Sequence, residues 1–199
     1  MNLPNSPASE RNKEPILEVL KTYTPLGEVL EVGHGTGQHA VYFSEYLQTL
    51  WHPADVEQNN WMMAERIKIA ASDLIQPPLT FEVGLKPIGE QINRNFDSIF
   101  TANTFHIMAE RHVFEFCDNL NHLLKPNGKF FLYGPFKFQG QFTSESNEMF
   151  DRQLKNNQME MGIRDFEAIE NCLKKIGVVF LKRHDLPANN QLLVFQNES

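Results

Sequence analysis

The chain has 199 residues, 41% of them hydrophobic and 22% charged, with a formal net charge of −7. That length fits one domain, 1–199, with a proper apolar core, and the acidic balance argues against nucleic acid, whose backbone is bound by cationic side chains that displace counterions. With no apolar run near the roughly 18 to 20 residues of a membrane span, no signal-peptide core in MNLPNSPASERNKEP and no metal-ligand spacing at Cys117 or Cys172, a cytoplasmic, metal-free protein is expected.

In chain order, residues 1–23 read as a polar arm leading into a helix. Ile16, Leu17, Val19, Leu20 and Tyr23 recur at helical spacing, with Pro15 in the first turn. Pro25 to Gly27 ends it. A strand at Val29–Val32 is followed by a helix from about Thr36 to Gln48, a short strand Leu50–Ala54 ending at Asp55, and a helix over 58–71. A third strand is expected at Leu79–Val83 and a fourth at Asp97–Ala102. The next helix, roughly 109–124, stops at the turn signal Pro126-Asn127-Gly128.

The fifth strand is Lys129–Tyr133, and residues 136–162 form a long polar insertion with a helix of its own. A helix begins near Asp165, its N-cap, and ends with Gly177 at a left-handed C-cap. Strands at about 178–184 and 191–196 are joined by DLPANN, too short for a crossover helix, so they pair antiparallel. The pattern predicts an α/β fold: a mostly parallel seven-stranded sheet with a C-terminal antiparallel hairpin and helices on both faces.

The stretch EVLEVGHGTGQHA, residues 28–40, is the most informative. A strand that stops at glycines and turns into a helix brings backbone close to a ligand, because glycine accepts positive φ and has no Cβ. The helix N-terminus beyond adds unpaired N–H groups and partial positive charge. Dinucleotide-binding folds use G-x-G-x-x-G there. Here Gly33, Gly35 and Gly37 are spaced by two and position 38 is Gln, which disfavours a nicotinamide oxidoreductase. A tight strand–helix turn without ligand also uses glycine. Asp55, at the end of the second strand, is placed to accept from both ribose hydroxyls of a nucleoside, with Glu57 as the rival.

Glu31, Gly33, Gly35 and Gly37 together resemble motif I of the class I S-adenosylmethionine (SAM) methyltransferases. More narrowly, eight stretches resemble one methyltransferase-like family, that of domain of unknown function 938, of the methyltransferase-like protein 26 type. They are SPASERNKEPI (6–16), EVGHGTGQHA (31–40), WHPAD (51–55), ANTFHI (102–107), LYGPFKFQG (132–140), SNEMFD (146–151), GIRDFEAIE (162–170) and LPANNQLLVF (186–195). The resemblance covers essentially the whole chain. It implies a Rossmann-like class I methyltransferase fold, SAM as cofactor and S-adenosylhomocysteine as product, but no particular substrate. It also implies that Glu31 orients the cofactor's amino-acid end and that Glu82 or the backbone of Val83 meets the adenine. Members of the family often carry Asp at the end of the third strand, where this chain has Glu82 and Gly84.

Ligands of open α/β sheets sit beyond the carboxyl ends of the strands. Asn103 and His106 follow the fourth strand. Asn103 can offer an amide to cofactor or acceptor, and His106 is either a general base or a hydrogen-bonded histidine at a helix start. Tyr133 and Phe136 line an acceptor pocket or belong to the core. In the arm, Arg11 and Asn12 either fold over the cleft, Arg11 pairing with the SAM carboxylate or an acidic acceptor, or sit on a solvated helix start. The expectation is a SAM-dependent methyltransferase with a small-molecule acceptor, the arm and the 136–162 insertion closing its pocket. The alternative is a non-catalytic SAM-binding or interaction protein that retains the fold.

Overall fold

The computed structural model describes residues 3–199; residues 1 and 2 of the expected arm lie outside the described residues. Helices are α1 (Pro7–Lys21), α2 (Gln38–Leu47), α3 (Glu57–Ala70), α4 (Ile88–Gln91), α5 (Glu110–Asp118), α6 (Glu145–Asn157) and α7 (Phe166–Lys175). Strands are β1 (Val29–Val32), β2 (Trp51–Asp55), β3 (Leu79–Thr80), β4 (Phe96–Ala102), β5 (Leu124–Gly134), β6 (Phe136–Phe138), β7 (Gln141–Phe142), β8 (Arg164–Asp165), β9 (Val178–Leu186) and β10 (Asn190–Asn197).

The main sheet runs β3-β2-β1-β4-β5-β10-β9. The first five are parallel, and β10 is antiparallel to both β5 and β9. All four residues of β1 and all five of β2 are buried, as parallel strands covered on both faces must be. Successive residues of β5 serve opposite faces. Phe130 and Leu132 join Phe116, Leu173 and Phe195 under α5 and α7. Phe131 and Tyr133 join Ile16, Leu20, Phe43 and Met63 under α1, α2 and α3. Chain order reverses between β1 and β4, and that reversal opens a crevice at their carboxyl ends.

Four details differ from the sequence expectation. The arm is helical from Pro7: Ser6 caps it by accepting from the Ser9 amide (3.2 Å), and Pro15 lies well inside the helix. Pro15 has no N–H for the Arg11 carbonyl, but the buried face of Ile16, Leu17 and Leu20 holds the turn in place. Pro126-Asn127-Gly128 falls inside β5 as an irregularity that shifts its register against β4 between Phe96 and Ser98; Asn127 has φ 62°, and glycine is needed at 128 because a Cβ there would meet the carbonyls of Lys125 and Asp97 at 2.8 and 2.9 Å. The third strand shrinks to two edge residues. The insertion adds, beside its helix α6, the strands β6 and β7, which β8 just beyond it completes into a small sheet β7-β6-β8.

Candidate functional site

At the crevice the structure opens a cavity of about 1200 Å³. Of the residues singled out from the sequence, Arg11, Asn12, Gly33, Gly35, Asp55, Val83, Asn103, His106 and Tyr133 all line it. Glu31 and Gly37 do not.

The three glycines separate by what a side chain would strike. All have positive φ: 78°, 54° and 76°. A Cβ on Gly33 would fall 2.2 Å from Thr104 Cγ2, and one on Gly37 would fall 2.6 Å from Met63 Sδ, so both are required by packing. A Cβ on Gly35 would meet nothing within 4 Å and would project into open space. Asp55 holds this loop: its Oδ2 accepts from the Gly35 amide (2.7 Å), while Oδ1 accepts from Val56 N (2.7 Å) and Asn59 Nδ2 (3.0 Å). By lone-pair count Oδ2 keeps one acceptor position for a ligand. His34 braces the loop, its ring set against Asn60 Oδ1 (3.2 Å) and the Gly35 carbonyl (3.1 Å).

Glu31 lies beneath this floor at 1% exposure, accepting from the Trp51 indole (2.7 Å). Burial lifts its carboxyl to about 8, with the Asp55 charge pushing the same way and the indole opposing. It is therefore mostly protonated at neutral pH. His39 stands 4.0 Å from it, pushed down to about 4 by burial and stacked on Phe43. The neutral ring donates through Nε2 to Asn12 Oδ1 (2.7 Å), which ties α1 to the start of α2.

Gln38, where a dinucleotide loop would have glycine, makes a second tie. Its Oε1 accepts from Ser6 N (2.5 Å) and Thr36 Oγ1 (2.7 Å), and its amide donates to Glu10. Arg66 of α3 completes the clasp by donating to the Thr36 carbonyl, the Pro4 carbonyl (2.7 Å) and Asn5 Oδ1 (2.6 Å).

The opposite wall carries Asn103 and His106. Asn103 has φ 60°, a left-handed backbone uncommon outside glycine, and its backbone N–H donates to the Tyr133 carbonyl (2.9 Å). The Asn103 Oδ1 and His106 Nδ1 converge on Gly134, 4.0 and 3.8 Å from where its Cβ would be. The His106 ring meets Phe150 of α6 edge-on at 5.2 Å and has no hydrogen-bond partner among the described residues. Burial, then the Arg164 charge, hold it down to about 4, so it is unprotonated at neutral pH. Burial pushes the Tyr133 phenol up, opposed by the neighbouring Asn12 and Asn190 side chains, so it is neutral too.

Sequence reading missed what secures this wall. Arg164, 9% exposed, donates to the carbonyls of Phe105 (3.1 Å), Met108 (2.6 Å) and Glu160 (2.7 Å), and Gly162 N donates to the His106 carbonyl (2.9 Å). Asp151, itself buried, accepts from Ile163 N (2.8 Å) and Lys155 (2.6 Å). The insertion thereby seats Ser146, Asn147 and Phe150 along the cavity. Among the described residues no group of three or more His, Cys, Asp or Glu is placed to hold a metal, and no helix is long and apolar enough to cross a membrane.

This architecture is the Rossmann-like class I methyltransferase fold. The chain superposes on the S-adenosylmethionine-dependent methyltransferase SibL in its apo form (TM-score 0.78, 14% identity, 96% of this chain and 56% of that one). It is similar to an O-methyltransferase family protein from Burkholderia thailandensis (TM-score 0.79, 15% identity, 96% and 58%). It is likewise similar to human N-acetylserotonin methyltransferase in complex with SAM (TM-score 0.77, 14% identity, 96% and 53%). The chain spans little more than half the length of these proteins. It belongs to the family described as "Protein of unknown function (DUF938)", whose model matches residues 3–197.

Proposed function

We propose that this protein is a SAM-dependent methyltransferase acting on a small-molecule acceptor. The observation that carries the reading is Gly35, whose missing Cβ leaves open cavity rather than a packing contact, unlike Gly33 and Gly37. Size supports it as well: about 1200 Å³ exceeds the roughly 300–1,000 Å³ of an ordinary ligand pocket and leaves room for cofactor and acceptor together. The eight motif stretches support a place with the methyltransferase-like protein 26 type within the family, and the two free, buried thiols suit a cytoplasmic setting.

The cofactor, when bound, supplies an electrophilic methyl group on a sulfonium sulfur and leaves as S-adenosylhomocysteine. The remaining work falls to the chain. Gly33 and Gly35 would lay bare backbone under it while Gly37 turns the loop into α2, the open lone pair of Asp55 would receive a ribose hydroxyl, and Val83 would meet the adenine. Glu31 acts from below, through His39 and Asn12, to set the amino-acid end. Asn103 aims its amide at the junction of the two ligands. His106, unprotonated and free of partners, takes the proton that an acceptor hydroxyl or amine releases on attack, and the neutral Tyr133 phenol donates to the acceptor. Calorimetric titration with SAM, S-adenosylhomocysteine and NADH tests the reading. Micromolar binding of the first two alone, lost in Gly35→Val and weakened in Asp55→Ala, supports it; a well-folded protein that binds neither refutes it.

A further inference from the structure

Charge is distributed unevenly around this cavity. Its charged lining residues other than histidine are Arg11, Asp55, Glu82, Arg111 and Glu160. Arg111 is paired with Glu160, and Asp55 is engaged by the amides of the glycine loop. Glu82 follows the edge strand β3, with β2, β1 and β4 between it and the β5 strand that carries Tyr133. Arg11 is exposed and has no acidic partner among the described residues. Arg11 stands on α1, whose Ile16, Leu17 and Leu20 pack in one cluster with Tyr133, so it belongs to the side of the cavity walled by Tyr133, Phe150 and Pro135. In a chain of net charge −7, an unneutralised cation at the mouth of a cleft is a local exception to the field.

From this charge inventory and the aromatic walls we propose that the acceptor is an anion: a ring-sized, largely apolar body bearing a carboxylate or phosphate that Arg11 receives. An ammonium-bearing acceptor is disfavoured, since no unpaired carboxylate faces that side. The cofactor's own carboxylate has other donors. The amides of His34 and Thr36 carry no hydrogen bond among the described residues, and α2 begins without a side-chain cap. Arg11 thus sets specificity for the acceptor, and the inference rests on the methyltransferase reading above.

The test begins with S-adenosylhomocysteine titrated into the wild type, Arg11→Gln and Arg11→Lys, folding being checked by circular dichroism. Each complex is then titrated with benzoate, phenyl phosphate, benzamide and benzylamine. The expected result is cofactor-product affinity equal within about twofold across the three proteins, together with a preference of roughly tenfold or more for an anion over benzamide and benzylamine. That preference should vanish in Arg11→Gln and persist in Arg11→Lys. Benzoate and phenyl phosphate compared directly tell carboxylate from phosphate. Equal binding of all four probes, or of none, overturns the proposal while leaving the methyltransferase reading intact. A tenfold loss of S-adenosylhomocysteine in Arg11→Gln overturns it differently, by giving Arg11 to the cofactor. Failure of the wild type to bind S-adenosylhomocysteine removes both.

Discussion

On the β1–β2 side of the cavity the lining is mostly backbone, held from behind by Asp55, Gln38 and Arg66. On the β4–β5 side the lining is mostly side chains, and the loop that presents them is held by one buried guanidinium from β8. A backbone surface tolerates almost any side chain that points away but no added Cβ. A side-chain surface tolerates exchange of individual groups but fails when its clamp goes. The two walls should therefore break in different ways.

The largest effect is expected from Arg164→Met, which orphans three carbonyls at about 1–3 kcal/mol each. A loss of about 3–5 kcal/mol corresponds to a fall in Tm of roughly 10 °C for a chain this size, read by thermal unfolding. Next, Gly33→Ala should cost about 2–4 kcal/mol, from the clash with Thr104 and the positive φ. Gly35→Ala should cost only about 1 kcal/mol yet weaken S-adenosylhomocysteine binding at least tenfold, since its Cβ enters the cavity. Equal stability losses in the two, with unchanged affinity in Gly35→Ala, would erase the distinction between packing glycine and ligand glycine.

A smaller effect concerns pH. Glu31, raised to about 8 from an ordinary 4.5, holds a proton in the native state that the unfolded chain releases, so its contribution falls as pH rises through that window. His39 and His106, both lowered to about 4 from 6.5, act in the opposite sense, and their contribution is lost as pH falls below 6.5. Stability should thus climb from pH 4 to near 6.5 and decline towards 8, by at most about 1.4 kcal/mol per proton and pH unit. Urea unfolding across this range should show the alkaline decline in the wild type and a flat limb in Glu31→Gln. The smallest change is Gln38→Ala, about 1 kcal/mol, with faster proteolytic cleavage ahead of α1.

The same contrast explains what could be read before the fold was known. The glycine loop and Asp55 are written in short stretches that follow a strand, where spacing alone fixes geometry. Asn103 and His106 follow from their place after a strand. Arg164 could not be read this way: its partners at 105 and 108 are remote in sequence, and an arginine beside an aspartate looks like a solvated helix start. Glu31 was legible as a residue but not as a state, because protonation depends on burial among Trp51 and His39. Gln38 did carry a signal, as the residue that breaks the dinucleotide pattern. The helical arm was misjudged at Pro15, since packing on the sheet outweighs one missing hydrogen bond.

One feature of the sheet bears on how the protein is made. The last strand in the chain, β10, is not the last in the sheet: it lies between β5 and β9, with Leu192 opposite Tyr133 and His184. During synthesis β5 must wait, its edge bare, until residues far downstream leave the ribosome. The cavity wall that Asn190 shares with Tyr133 is then among the final parts to assemble. A nascent chain arrested before β10 would expose two unpaired edges, β5 and β9, and so become a client for chaperones rather than a smaller folded domain.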